Sequence, residues 1–155
     1  MQPSLKNYAD YFWMGLYVGV CSRTEIVCWA DRLIEQSEYP EDWKIDLSTS
    51  QGKHLMDVLH LLRAVPGIVN LDVSFRLLVA KLGRLHPTVS PGQTGLLGNL
   101  YRLVHTDISD DLKAHIYEID CDLDWLESGE CDWSVVQQDY EELLAIGNDY
   151  GSWVD

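Results

Sequence analysis

The sequence predicts an all-α protein: a single compact domain, residues 1–155, of about six helices joined by short connections. Three observations predict this class. Apolar residues recur at three- and four-residue steps along most of the chain, which is the spacing of one helix face. Serine, aspartate or asparagine precedes these stretches, as is typical of helix N-caps. The length of 155 residues corresponds to about one domain, and a hydrophobic content of 46% argues against disorder.

The first third of the chain contains one clear helix start. An apolar, aromatic-rich run over residues 11–21 is interpreted as part of the core, because spanning a bilayer requires roughly 18–20 residues. Ser22-Arg-Thr-Glu25 then has the form of a capping box. The helix behind it is expected to stop near Glu38, ahead of Pro40. Its apolar residues follow helical spacing: Ile26, Ala30, Leu33 and Ile34.

The middle of the chain predicts two further helices and a loop. Residues 43–47 alternate apolar and polar side chains, which fits a short extended stretch or a packed connection. Ser48 or Ser50 can cap a helix that Pro66-Gly67 ends, and Asn70 or Asp72 can begin the next. The two apolar stripes are Leu55, Val58, Leu59, Leu62 and Val65, then Phe75, Leu78, Val79, Leu82 and Leu85.

The last part predicts a loop, a short helix and two long helices. Residues 87–98 contain two prolines and three glycines, which favours a long loop, and residues 96–104 form a short helix. Ser109 caps a helix that ends at Ser128-Gly129, and Asp132 caps the last one, which Gly147 ends. Their stripes are Leu112, Ile116, Ile119, Leu123 and Leu126, then Val136, Tyr140, Leu143 and Ile146.

The charge of the chain is strongly uneven. Residues 1–106 contain ten acidic and ten basic side chains, whereas residues 107–155 contain fifteen acidic side chains and one basic, Lys113. The last third therefore accounts for the whole formal charge of −14. Binding to nucleic acid or to an anionic membrane is not expected, because both require clustered Lys and Arg. A basic protein partner is the better match for such a field.

Cysteine usage and motifs favour a cytoplasmic protein without a cofactor. The four cysteines contain no Cys-x-x-Cys pair and are expected to be buried free thiols in a reducing cytoplasm. Nucleophile elbows, Walker loops and dinucleotide fingerprints are absent. Residues 120–127 begin like a calcium-binding EF-hand loop, but Trp125 and Cys131 occupy positions that require Gly and Glu. No catalytic residue, metal or cofactor is assigned.

The acidic residues of the Ser109 helix are expected to form an outer face. With the leucine stripe inward, 100° steps place Tyr117, Glu118, Cys121, Asp124 and Trp125 toward solvent. Like charges at i, i+4 and carboxylates in the C-terminal turns both cost helix stability, which suggests a surface kept for a partner. The simpler interpretation is a solvated acidic face that maintains solubility. Candidate partner-binding residues are Glu118, Asp120, Asp122, Asp124, Trp125, Glu127, Asp132 and Trp133.

Two segments resemble bacterial immunity proteins of toxin–immunity systems. They read Ile26-Val-Cys-Trp-Ala-Asp-Arg-Leu-Ile34 and Lys44-Ile-Asp-Leu-Ser48, in a small, acidic, one-domain chain. The resemblance covers about 25 residues and implies binding and neutralisation of a cognate toxin, often a basic nuclease. No site residue of the family is transferred to this sequence.

Two other kinds of function stay open. A small metal-dependent or hydrolytic enzyme could use His115, Glu118 and Asp122, which have helical spacing. A structural subunit that associates with itself is the other alternative, and the sequence does not define an oligomeric state. The leading hypothesis is a non-enzymatic inhibitor or adaptor that binds a basic protein, most directly a cognate toxin.

Overall fold

A computed structural model describes residues 2–154 and confirms the all-α class. Residues 2–154 contain no β-strand. The α-helices are α1 (Leu5–Val18), α2 (Arg23–Glu35), α3 (Asp42–Ser48), α4 (Leu55–Arg63), α5 (Leu71–Leu85), α6 (Thr94–Asn99), α7 (Asp110–Glu127) and α8 (Trp133–Ala145). Three 3₁₀ helices span Pro91–Gln93, Leu100–His105 and Asn148–Trp153. The described chain thus has eight α-helices where about six were expected.

The chain groups into two compact units, with the division between Val69 and Asn70. The first unit contains α1 to α4, and the second contains α5 to α8 with the three 3₁₀ helices. That the whole chain acts as a single domain stays a prediction.

Local capping defines the first helices. Ser4 and Ser22 each accept a hydrogen bond from the backbone three residues later, and Asn7 and Glu25 accept one back from the cap N–H. This reciprocal arrangement satisfies amide groups that a helix start leaves unpaired. The capping box predicted at Ser22 is confirmed, although α2 ends at Glu35, slightly before the predicted Glu38.

Aromatic rings form much of the core of the first unit. Phe12 packs against Tyr11 and Trp29, with ring centroids 4.7 and 5.1 Å away, and Trp29 also contacts Trp43 at 6.1 Å. Such tilted contacts add to the gain from burying the rings. The run over residues 11–21 is therefore core, as expected, and most of it is helix α1.

A charged pair is buried in this unit. The Lys6 ammonium lies 2.9 Å from Asp10 Oδ1, and both side chains are 5% exposed. Lys6 Nζ also donates a hydrogen bond to the Arg63 carbonyl oxygen, 2.9 Å away, and so connects α1 to the end of α4. The opposite charge and the carbonyl compensate for the loss of water around Lys6.

Two predictions for the first unit were wrong. Residues 43–47 are helical, within α3: Lys44 and Leu47, three residues apart, are both buried, which is the spacing of one helix face. The start of α4 is also later than predicted: His54, rather than Ser48 or Ser50, is the N-cap, and its Nδ1 accepts from the Met56 N–H at 3.2 Å.

In the second unit, side-chain hydrogen bonds hold α8 against the segment that follows α5. The Tyr140 hydroxyl is buried and donates to the His86 carbonyl oxygen at 2.6 Å. Burial raises the pKa of this hydroxyl well above its ordinary value. The Trp133 indole Nε1 donates to the Val89 carbonyl oxygen at 2.9 Å. Without these bonds, the Tyr140 hydroxyl and the Trp133 indole N–H would have no hydrogen-bond partner inside the packed unit.

The prediction of a long loop over residues 87–98 was wrong in part. Only residues 86–90 connect α5 to the next element, and Pro91–Gln93 and Thr94–Asn99 are helical. The Gly147 prediction was also inexact, because Gly147 has a φ of −93° and no left-handed cap. A Cβ there would lie 2.7 Å from the Ala80 backbone nitrogen, so close packing on α5 explains the glycine.

Asn70, Ser109 and Asp132 are N-cap residues as predicted.

Within residues 2–154, no helix combines the length and apolarity needed to cross a bilayer. All four cysteines are thiols, as expected, but they are not all buried: Cys21 is buried, Cys131 is half-buried, and Cys28 and Cys121 are exposed.

Candidate functional site

Helix α7 is positioned by its apolar side and by a bond to α5. Leu112, Ile116 and Ile119 are buried, while Leu123 and Leu126 are half-buried. The Ser109 side chain makes no capping bond; its backbone N–H instead donates to Asp72 Oδ1 at the start of α5, 2.8 Å away. The start of α7 is therefore fixed by tertiary contact with a neighbouring helix.

The side of α7 predicted to face solvent does so. Tyr117, Glu118, Cys121, Asp124 and Trp125 are all exposed, and we call these five residues the α7 outer face. Trp125 is 52% exposed, which is unusual for so large an apolar ring. The face thus presents an indole beside carboxylates.

The aromatic surface extends beyond α7 to a residue that the sequence reasoning missed. The Tyr117 ring meets the Tyr101 ring edge to face, with centroids 5.9 Å apart. Tyr101 in turn contacts the His105 ring at 6.0 Å. No local pattern marked Tyr101, because its position beside α7 comes from tertiary packing of the Leu100–His105 helix on α7.

The other predicted partner-binding residues have mixed placements. Glu127 is exposed at the end of α7, and Asp132 is exposed but caps α8, accepting from the Ser134 N–H at 2.9 Å. Hydrogen bonds from the Ser134 side chain and backbone lower the Asp132 pKa. Trp133 is half-buried and anchored to Val89, so its indole N–H is not available to a partner. Asp120 is half-buried, and its pKa is raised by desolvation and by the charge of Asp124.

The candidate partner-binding residue Asp122 is buried. Asp122 is only 5% exposed, because α8 packs against this side of α7. Burial and the neighbouring Asp139 and Glu118 raise its pKa to about 7. Asp122 therefore lies apart from the α7 outer face, in a group of side chains that shares only Glu118 with that face.

That group joins two helices. Glu118, Asp139 and Glu142 each place a carboxylate oxygen within 4.8 Å of the other two, and Asp122 contacts Asp139. We call Glu118, Asp122, Asp139 and Glu142 the carboxylate cluster. The sequence reasoning included Glu118 and Asp122 but missed the two α8 residues. The signal for them was their i, i+3 spacing on a helix joined to α7 by a short connection.

His115, Glu118 and Asp122, the residues of the alternative enzyme site, do not form one group of ligand atoms within 4.8 Å among the described residues. His115 is half-buried, and its Nδ1 atom is buried without a hydrogen-bond partner. In the described part of the chain, His115 is not among the side chains whose ligand atoms converge within 4.8 Å. The groups that do converge are all carboxylates, which can hold protons or hard cations.

Comparisons with protein families, with characterised proteins and with solved structures give no match for this chain. The functional argument therefore depends on the chain's own residues.

Proposed function

We propose that this protein is a cytoplasmic, non-enzymatic inhibitor that binds a basic protein through the α7 outer face. The observation that carries the proposal is the exposure of Trp125, 52%, on a helix surface otherwise dominated by carboxylates. Binding at this face would block the partner sterically and requires no chemistry from either protein.

An exposed tryptophan is well suited to anchor a protein interface. Hot-spot residues are enriched in Trp and Tyr and lie at the centre of an interface, surrounded by polar contacts. Trp125 shares the exposed face of its helix with the aromatic Tyr117 and with the carboxylates of Glu118 and Asp124. A partner that buries the indole removes its apolar surface from water, and this burial stabilises the complex.

The charge of the chain supports a cationic partner. Residues 107–155 hold fifteen acids and one base, so α7 and α8 lie in a strongly negative field. Such a field accelerates encounter with a basic surface and disfavours acidic competitors. The resemblance of residues 26–34 and 44–48 to immunity proteins suggests that the basic partner is a cognate toxin.

The proposal is tested with the product of the adjacent open reading frame as the partner. We expect the two purified proteins to form a complex whose association rate falls steeply with added salt, because steering is screened beyond about 10 Å at 0.1 M salt. Trp125→Ala should weaken the complex by roughly 30-fold or more, as for a hot-spot aromatic. Asp124→Asn should mainly slow association.

The matched control is Tyr39→Ala, which removes a ring that is 86% exposed in the first unit. This variant should bind like the unmodified chain. Each variant is first checked for an unchanged circular dichroism spectrum and unfolding midpoint. An affinity unaffected by Trp125→Ala and Asp124→Asn together, or no complex with the adjacent product at all, contradicts the proposal.

A further inference from the structure

The carboxylate cluster brings four acidic side chains together between two packed helices. Glu118 and Asp122 are one turn apart on α7, and Asp139 and Glu142 are one turn apart on α8. Oxygens of Glu118, Asp139 and Glu142 lie within 4.8 Å of one another. Bringing like charges this close costs free energy unless a proton or a cation compensates.

A second observation is that one carboxylate oxygen of the cluster is buried without a hydrogen-bond donor. Asp122 is 5% exposed, and its Oδ2 atom is buried without a hydrogen-bond donor. Its side chain also interacts with that of Asp139, and the two can share a hydrogen bond only if one of them holds a proton, because two ionised carboxylates offer only acceptor oxygens. A buried, unsatisfied carboxylate oxygen is rare in folded proteins and calls for an ion, a water or a proton.

The carboxylate cluster takes no part in the ion pairs Lys6–Asp10 and Lys44–Glu41, both of which are in the first unit. A cation bound from solution would offset the charges of these carboxylates.

We propose that the carboxylate cluster binds one hard divalent cation, which bridges α7 and α8. Carboxylate oxygens are preferred ligands of Ca²⁺, Mg²⁺ and Mn²⁺. Two ligands of one Ca²⁺ ion, each at about 2.3–2.6 Å, can be up to about 5 Å apart, so the oxygen separations already suit a single ion. Glu118 and Glu142 are exposed, which leaves room for water to complete the coordination.

The carboxylate cluster shares one residue, Glu118, with the α7 outer face. Trp125 and Asp124, on which the partner-binding test depends, are not members of the cluster. The cation would instead stabilise the packing of α7 on α8, since it binds residues of both helices and only in the folded chain. Loss of cation binding and loss of partner binding are therefore separate results, obtained with separate variants.

The test is a calorimetric titration of the full chain, stripped with chelator, with CaCl₂, and then with MgCl₂ and MnCl₂. We expect saturation near one ion per chain and a higher unfolding midpoint with the cation bound. Asp139→Asn and Glu142→Gln should each lower the affinity about tenfold or more, because ligand charge sets the strength of such sites. Because Glu142 is exposed, Glu142→Gln is expected to fold normally, and it provides the test if Asp139→Asn fails to fold.

The matched control is Glu141→Gln, which removes an exposed carboxylate from the next position of α8. This variant should bind the cation with unchanged affinity. NaCl at matched ionic strength should not reproduce the heat or the stabilisation, because diffuse screening has no stoichiometry. The proposal is overturned if none of the three cations saturates below about 10 mM, weaker than known low-affinity calcium modules, or if Glu142→Gln binds as the control does.

Discussion

The two units of this protein each bury an aspartate, but the charged neighbours of the two aspartates have opposite signs. Asp10, in the first unit, has the Lys6 ammonium 2.9 Å from Oδ1. Asp122, in the second unit, has Asp139 and Glu118 as its charged neighbours. In both residues the Oδ2 atom is buried without a hydrogen-bond donor. The burial is similar, and the difference lies in the sign of the neighbouring charge.

This difference extends to the composition of the units. Residues 1–69 contain nine acids and six bases, whereas residues 70–155 contain sixteen acids and five bases. The first unit has an internal counterion for its buried carboxylate. The second places several carboxylates close together, and repulsion between like charges lowers the stability of the folded chain.

The largest effect is expected from removing the counterion of the first unit. Lys6→Met leaves Asp10 buried without its ion pair and the Arg63 carbonyl oxygen without the Lys6 donor. Breaking a buried pair on one side typically costs about 3–5 kcal/mol, so the free energy of unfolding in urea should fall by that amount.

The control replaces both members of the pair. In Lys6→Met with Asp10→Leu no buried charge remains, and most of the lost stability should return. If Lys6→Met alone costs less than about 1 kcal/mol, the value of an exposed ion pair, then Lys6 does not compensate Asp10 and the contrast between the units fails.

A smaller effect of opposite sign is expected at Asp122. Its pKa is raised from 3.8 to about 7 in the folded chain, so the folded chain holds this proton more tightly than the unfolded chain. The contribution of Asp122 to stability is therefore fully present below about pH 4 and is lost as the pH rises toward 7. Asp122→Asn removes the ionisable group and should stabilise the chain at about pH 8, by at least roughly 1 kcal/mol, without divalent cations.

The measurement is urea unfolding in EDTA across this pH range. The groups around Asp122 are Glu118 on the same helix, Asp139 and Glu142 on α8, and Cys131 in the connection between the helices. Glu141→Gln serves again as the control and should retain the slope of the unmodified chain. A slope that survives Asp122→Asn would assign the proton to another member of the cluster.

The features that could be predicted from the sequence are those set by nearby residues. The capping box at Ser22 and the exposure of the α7 outer face depend on residues within a few helical turns, and both are confirmed. Helix α3 was missed because Lys44 was counted as polar, although its chain is buried and its ammonium bonds to Ser37 and Glu41. A lysine that buries its stem changes an apparent period of two into a helical one.

The features that could not be predicted are those set by a second helix. On α7 alone, Asp122 lies at the border of the apolar stripe, and only the packing of α8 decides that it is buried. The sequence places Asp139 and Glu142 on one side of α8 but does not give the register of α8 against α7. Predicting the carboxylate cluster requires that register, whereas predicting the exposure of Trp125 does not.

The smallest effect is expected from two like charges on α7. Asp120 and Asp124 are one turn apart, and desolvation and the charge of Asp124 raise the Asp120 pKa. Asp120→Asn should therefore increase the free energy of unfolding by about 0.2–0.5 kcal/mol at low salt, and less in about 1 M NaCl, where charges are screened within about 3 Å. The same substitution in an Asp124→Asn background should give a smaller gain, which isolates the pairwise repulsion. Equal gains in both backgrounds would mean that desolvation alone disfavours the Asp120 charge, and that the repulsion distinguishing the second unit is confined to the carboxylate cluster.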